Sequence, residues 1–142
     1  MKILGVDHIG IAVEDIEKAR RFYVERLGLP AGPIEDRPEY GLRLCRVSVG
    51  EIELELLEAR DWEETTQKYL PYRGPGVYHF GLRVEDVDAC VEELDEAGVP
   101  LIDRVPREGD EMRVSFLAPE ASSGALIELV TRLGGKGRAG SR

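Results

Sequence analysis

His8 and His79 are the only two histidines in this 142-residue chain, and they occupy matching places of an internal repeat. The segment Val6-Asp7-His8-Ile9-Gly10-Ile11-Ala12-Val13-Glu14-Asp15 returns as Val77-Tyr78-His79-Phe80-Gly81-Leu82-Arg83-Val84-Glu85-Asp86, with Val, His, Gly, Val, Glu and Asp in register. Neutral imidazole is a common ligand of divalent metals. A duplication that places one imidazole in each half suits a pseudo-two-fold site shared by the halves. A shared metal is therefore the first chemistry to expect.

Carboxylates complete the set. In Ile52-Glu53-Leu54-Glu55-Leu56-Leu57 the apolar side chains Ile52, Leu54 and Leu56 share one face of a strand, and Glu53 and Glu55 share the other. In Leu126-Ile127-Glu128-Leu129-Val130, Glu128 stands alone among apolar residues, where burial is costly without a partner or a metal. The repeat aligns Leu54-Glu55-Leu56-Leu57 with Ile127-Glu128-Leu129-Val130. Each half then offers one His and one Glu, namely His8, Glu55, His79 and Glu128, with Glu53 the competing choice on its strand. Two imidazoles and two carboxylates fit a divalent transition metal such as Co, Ni, Zn or Mn.

These residues need strands to carry them. Residues 4–13 alternate as a strand, and Asp15 or Glu14 is placed to cap a helix with apolar positions Ile16, Ala19, Phe22, Tyr23 and Leu27. Gly28 and Pro30 close it. A short strand at 32–36, a loop at 37–41, and a hairpin of strands 42–49 and 52–58 follow. The second half repeats the order: a strand with His79, a helix marked by Val87, Val91, Leu94 and Ala97, a short strand at 101–104, a charged loop at 107–111, and strands 112–117 and 125–131. The expected architecture is α+β, with two βαβββ modules at 4–58 and 77–131 forming a curved mixed sheet whose inner face holds the histidines. Residues 59–76 read as a linker with a short amphipathic helix over 61–70, which carries Trp62, Thr66 and Tyr69 on one side. Residues 1–133 are expected to form one domain. The glycine-rich, charged stretch 134–142 reads as a flexible tail.

Composition narrows the partners. A net charge of −9 opposes general nucleic-acid binding. A small anionic substrate needs only a few local cations, which Arg107 and Arg113 could supply. No run approaches the about 18 apolar residues of a membrane span, and the N-terminal residues lack a signal-peptide pattern, so a cytoplasmic location is expected. Cys45 and Cys90 have no CxxC spacing and read as buried thiols rather than a disulfide.

These residues resemble the vicinal-oxygen-chelate superfamily of glyoxalases, bleomycin-resistance proteins and dioxygenases, over about residues 4–131. Within it, 7–13, 53–58, 67–79 and 125–129 are most similar to methylmalonyl-CoA epimerase. The resemblance implies the glyoxalase-like fold and puts His8, Glu55, His79 and Glu128 on the metal positions. It implies an isomerase that interconverts the stereoisomers of methylmalonyl-CoA by α-proton abstraction through a metal-stabilised enolate, with Glu128 and Glu55 as base and acid. It also implies an acyl-CoA substrate and a homodimer, in which an apolar linker helix could pack. The same ligand set is similar to that of glyoxalase I-type lactoylglutathione lyases, an alternative to which the Asp-Pro-Asp-Gly typical of them before the last strand does not extend. A metal-free ligand-binding module of the same fold is a further alternative. The chain departs from the epimerase pattern in three places, one of them the acidic Glu108-Gly109-Asp110-Glu111 where a glycine-richer loop is frequent. Ala118-Pro119-Glu120 stands where His-Pro-Lys is frequent. The third strand, 41–47, lacks the carboxylate that some epimerases carry there, so a second proton-transfer group must come from elsewhere.

Overall fold

The computed structural model describes residues 1–68, 74–109 and 111–133. Its fold is the expected α+β class, with the element order βαβββ in each half and a mixed eight-stranded sheet. By packing density the chain divides into two units, residues 9–78 and residues 1–8 together with 79 onward.

The unit of residues 9–78 holds the end of β1 (Ile3–Ala12), α1 (Ile16–Arg21), β2 (Glu35–Arg37), β3 (Leu42–Val49), β4 (Ile52–Ala59) and α2 (Trp62–Lys68). The strands lie in the order β2-β3-β4-β1. The β3–β4 hairpin pairs Val49 with Ile52 at its tip and Leu42 with Ala59 at its base. Ile16, Cys45, Val47 and Leu56 form the core beneath α1. Of the two expected caps, Asp15 is the one used: its carboxylate accepts from the Lys18 amide at 3.0 Å. The Ile16 amide, which has no helical partner, donates to Glu58 at 2.9 Å. Arg43 bridges Glu58 and Glu17, which accounts for the acidic cluster at this helix end.

α1 is shorter than its apolar spacing suggests. The chain continues through Phe22–Arg26 as a π-helical turn. The wider winding rotates the following residues, so Tyr23 packs on the core while Phe22 and Leu27 are exposed. The 37–41 loop contains Arg37 of β2 and one 3-10 turn over Pro38–Tyr40. In the linker, α2 covers Trp62–Lys68, and Trp62 stacks edge-on to Tyr78. Tyr69 and Leu70, and the tail from residue 134, lie outside the described residues.

The other unit joins residues 3–8 of β1 to β5 (Gly76–Val84) from residue 79 on, α3 (Val87–Glu96), β6 (Arg107–Gly109), β7 (Met112–Phe116) and β8 (Ile127–Arg132). Its strand order is β1-β5-β8-β7-β6, with β5 and β8 parallel. Val84, Val87, Cys90, Val91, Leu117 and Leu129 make its core. Asp86 caps α3 through the Ala89 amide at 3.1 Å, and Thr131 accepts from the Val87 amide at 2.9 Å. The repeat is thus preserved down to the caps: Asp15 and Asp86 match, and Glu58 and Thr131 hold matching amides.

The second short strand is not where its apolar residues suggest. Leu101 makes only an isolated bridge to Leu117, and the ladder forms at Arg107–Gly109, in the segment read as a charged loop. Backbone pairing with the edge of β7 decides this, and an edge strand tolerates charged side chains. Both cysteines are free and buried, as expected. No helix among the described residues is long and apolar enough to cross a membrane.

Candidate metal centre

Within the unit that contains both histidines, β1 and β5 lie side by side and β8 runs parallel to β5. Three of the four expected ligands meet here. His8 Nε2 lies 3.0 Å from His79 Nε2 and 2.9 Å from Glu128 Oε1, and His79 Nε2 lies 4.0 Å from the same oxygen. All three residues are buried. Glu128 Oε1 is shielded from solvent yet makes no aligned hydrogen bond. Ligands on adjacent corners of an octahedron around an ion at about 2.1 Å stand about 3.0 Å apart. The two short separations match that edge. A buried oxygen and two ring nitrogens that converge at these distances are what a divalent cation would require.

Burial raises the pKa of the Glu128 carboxyl, but His8 and His79 outweigh it and hold the group below its ordinary value. Glu128 is therefore a carboxylate, the form a metal or a transferable proton needs. The imidazoles meet edge to face, with centroids 5.1 Å apart, and Phe116 packs edge-on to His79 at 5.5 Å. Phe116 is also the cross-strand partner of Glu128. Sequence spacing alone did not reveal this apolar wall.

Gly81 explains one of the repeated glycines. A β-carbon built there would fall 2.3 Å from His8 Cε1 and 2.5 Å from its Nδ1. The His8 ring thus occupies the space where any other residue would begin its side chain. Gly81 is also in register with Glu128 across β5 and β8, so the missing side chain opens the spot where the ligands converge.

Asp7 was not singled out from the sequence, yet its side chain is fully buried. It accepts from His8 Nδ1 at 2.8 Å, from Arg83 at 2.8 and 3.2 Å, and from Arg132 at 2.7 and 3.1 Å. Burial raises its pKa, but the hydrogen bonds from His8, Arg132 and Arg83 outweigh this and hold it well below the usual carboxylate range. A carboxylate can only accept, so His8 Nδ1 carries the hydrogen, which leaves Nε2 as the nitrogen a metal would take. The available signal was an Asp beside one histidine where the repeat has Tyr78, with an arginine on each of the strands that carry His79 and Glu128.

Glu55 lies in the other unit, on β4, half-buried and in register with Arg46 of β3. Glu53, the competing choice, is the more buried of the two. The face of β3 that pairs with them presents Leu44, Arg46 and Ser48, so the expected lack of a carboxylate on that strand holds. Glu35 of β2 pairs with Leu44 in register and is tied to Arg37 at 2.6 Å and Arg46 at 2.8 Å. Of the two candidate substrate cations, Arg113 is drawn to Asp88 of α3 at 2.6 Å. Arg107 stands 5.9 Å over the Phe116 ring and pairs with Asp103 at 3.1 Å.

Comparison with known proteins bears on the fold and the family. The chain is 33% identical over 125 residues to the uncharacterized protein YqjC of Bacillus subtilis, covering 87% of this chain and 89% of that protein. It is 30% identical to an ethylmalonyl-CoA/methylmalonyl-CoA epimerase of Cereibacter sphaeroides, over 87% of this chain and 95% of the relative. A methylmalonyl-CoA epimerase solved in complex with methylmalonyl-CoA and NH4+ superposes with a TM-score of 0.82 at 30% identity, covering 96% of this chain and all of that one (100%). The family model of the glyoxalase/bleomycin resistance protein/dioxygenase superfamily matches residues 7–116, a span that includes both histidines and ends before β8. With its duplicated βαβββ fold and paired strand histidines, the chain belongs to that superfamily.

Proposed function

We propose that this protein is a metal-dependent epimerase of a 2-substituted malonyl thioester, methylmalonyl-CoA being the first candidate. The observation that carries the reading is the buried convergence of His8, His79 and Glu128. Its chemical direction comes from relatives named as methylmalonyl-CoA epimerases, one of them solved with methylmalonyl-CoA. His8, His79 and Glu128 would hold a divalent cation, Co before Ni, Zn or Mn. Glu55, which fills the matching place in the other half of the repeat, would be the fourth ligand.

A divalent ion, when bound, supplies Lewis acidity toward the substrate oxygens and offsets the charge left as the α-proton departs. Inversion requires a proton taken from one face of the α-carbon and another returned to the opposite face. Glu128 takes the proton: it is ionised, as a base must be, and Phe116 and the surrounding strands shield it from water. Glu55 returns one. Arg107, held over Phe116, offers the cation for the substrate's carboxylate. The reading includes a cytoplasmic homodimer, and two free thiols agree with a reducing compartment.

The test is racemisation of methylmalonyl-CoA by untagged protein, with and without a chelator. Racemisation that stops on chelation and returns with Co(II) supports the reading. No racemisation, with turnover of a hemithioacetal of glutathione instead, assigns the glyoxalase reaction. No metal uptake and neither activity leaves a metal-free binding module.

A further inference from the structure

The repeat duplicates the histidines and the glutamates, but it does not duplicate what lies behind them. Asp7, Arg83 and Arg132 correspond to Tyr78, Ala12 and Ala59 in the other half. One imidazole therefore has a buried carboxylate fastened to its far nitrogen by two arginines, and the repeat supplies no such group to the other. From this asymmetry we infer that Asp7, clamped by Arg83 and Arg132, is a positioning residue that fixes His8 as an Nε2 ligand. The inference rests on the metal reading given above and concerns how that site is built.

The geometry carries it in three steps. Asp7 lies 2.8 Å from His8 Nδ1, which fixes both the ring's rotation and its tautomer. The guanidinium groups of Arg83 and Arg132 each reach Asp7 through two nitrogens, so its carboxylate has no freedom to turn away. Gly81 leaves room for the ring on its open side. An imidazole backed by a carboxylate is more basic at its other nitrogen and binds a cation more tightly. Substitution of such outer partners typically lowers metal affinity about 10–100-fold.

The test uses full-length, untagged protein and Co(II) alone, with affinity read from the visible absorption of bound cobalt. Asp7→Asn is expected to bind Co(II) about 10–100-fold more weakly than the wild type. In a His8→Ala background the same substitution is expected to change nothing further, because the effect travels through that ring. Equal affinity of Asp7→Asn and wild type overturns the inference, as does an undiminished loss in the His8→Ala background. A second measurement leaves Asp7 untouched and so survives a variant that does not fold. Long-range proton–nitrogen spectra of the metal-free protein at mildly alkaline pH contain two histidines, and His79→Ala assigns the remaining one as His8. A hydrogen on Nδ1 of His8 supports the clamp, and a hydrogen on Nε2 overturns it. Wild-type protein that takes up no Co(II) sinks the metal reading itself, whereas uptake with an unaffected Asp7→Asn sinks only the clamp.

Discussion

A glutamate buried against two imidazoles in an apolar strand is placed to hold a metal and to move a proton, and the imidazoles offset the cost of burying it. Glu128→Gln separates these roles from simple packing, because the shape is kept and the base is lost. It should abolish exchange of the substrate α-proton with heavy water, read by mass spectrometry or NMR; exchange at the wild-type rate removes Glu128 from the reaction. Gly81 permits a sharper test of geometry. Replacing a strand glycine with alanine ordinarily stabilises by about 0.4–1 kcal/mol through the unfolded chain. Here the added methyl would stand 2.3 Å from the His8 ring. Gly81→Ala should instead destabilise by about 1–3 kcal/mol and weaken Co(II) binding, measured by denaturant unfolding and cobalt absorption. A stabilised Gly81→Ala that keeps its cobalt affinity would mean the ring does not sit there. At this scale the sequence was legible for His8, His79 and Glu128, because the repeat marked them. Asp7, Arg83 and Arg132 escaped it because they are not repeated and their partners are 76 and 125 positions distant.

At the scale of elements, strands and caps carry the site, and their energies differ in kind. α3 has ten residues, too few to be stable alone, so packing and capping must hold it. Leu129 sits in the core under that helix, beside Glu128 on the same strand. Leu129→Ala should cost about 2–5 kcal/mol, whereas loss of the cap in Asp86→Ala should cost about 1 kcal/mol. Urea unfolding at constant slope measures both. A cap loss as large as the core loss would mean that α3 depends on its end rather than its face. The elements read from sequence were mostly those whose apolar period is strong, such as β3, which matches the expected bounds, and β4, which runs one residue longer. The failures lay where local pattern competes with pairing. The π-turn exposed Phe22 and Leu27, and the edge strand formed at Arg107–Gly109 rather than at 101–104, because a ladder partner outweighs local hydrophobicity.

For the whole molecule, a cation that binds only the folded chain must stabilise it by mass action. Cobalt at 100 times its dissociation constant should add about 2.7 kcal/mol to the unfolding free energy, and a chelator should remove that increment. Denaturant titrations with and without Co(II) would reveal it, and coincident curves would mean that the folded chain binds no such ion. The amino-acid sequence by itself determined the duplicated βαβββ plan, the histidine pair, the Glu128 strand face and the burial of both thiols. All of these follow from periodicity and from repetition along the chain. Tertiary structure alone decided which atoms meet: the Nε2–Nε2 approach, the room made by Gly81, and the arginine clamp on Asp7. The physical reason is that periodicity states which face a side chain takes, while distance, desolvation and charge pairing exist only once remote strands lie side by side.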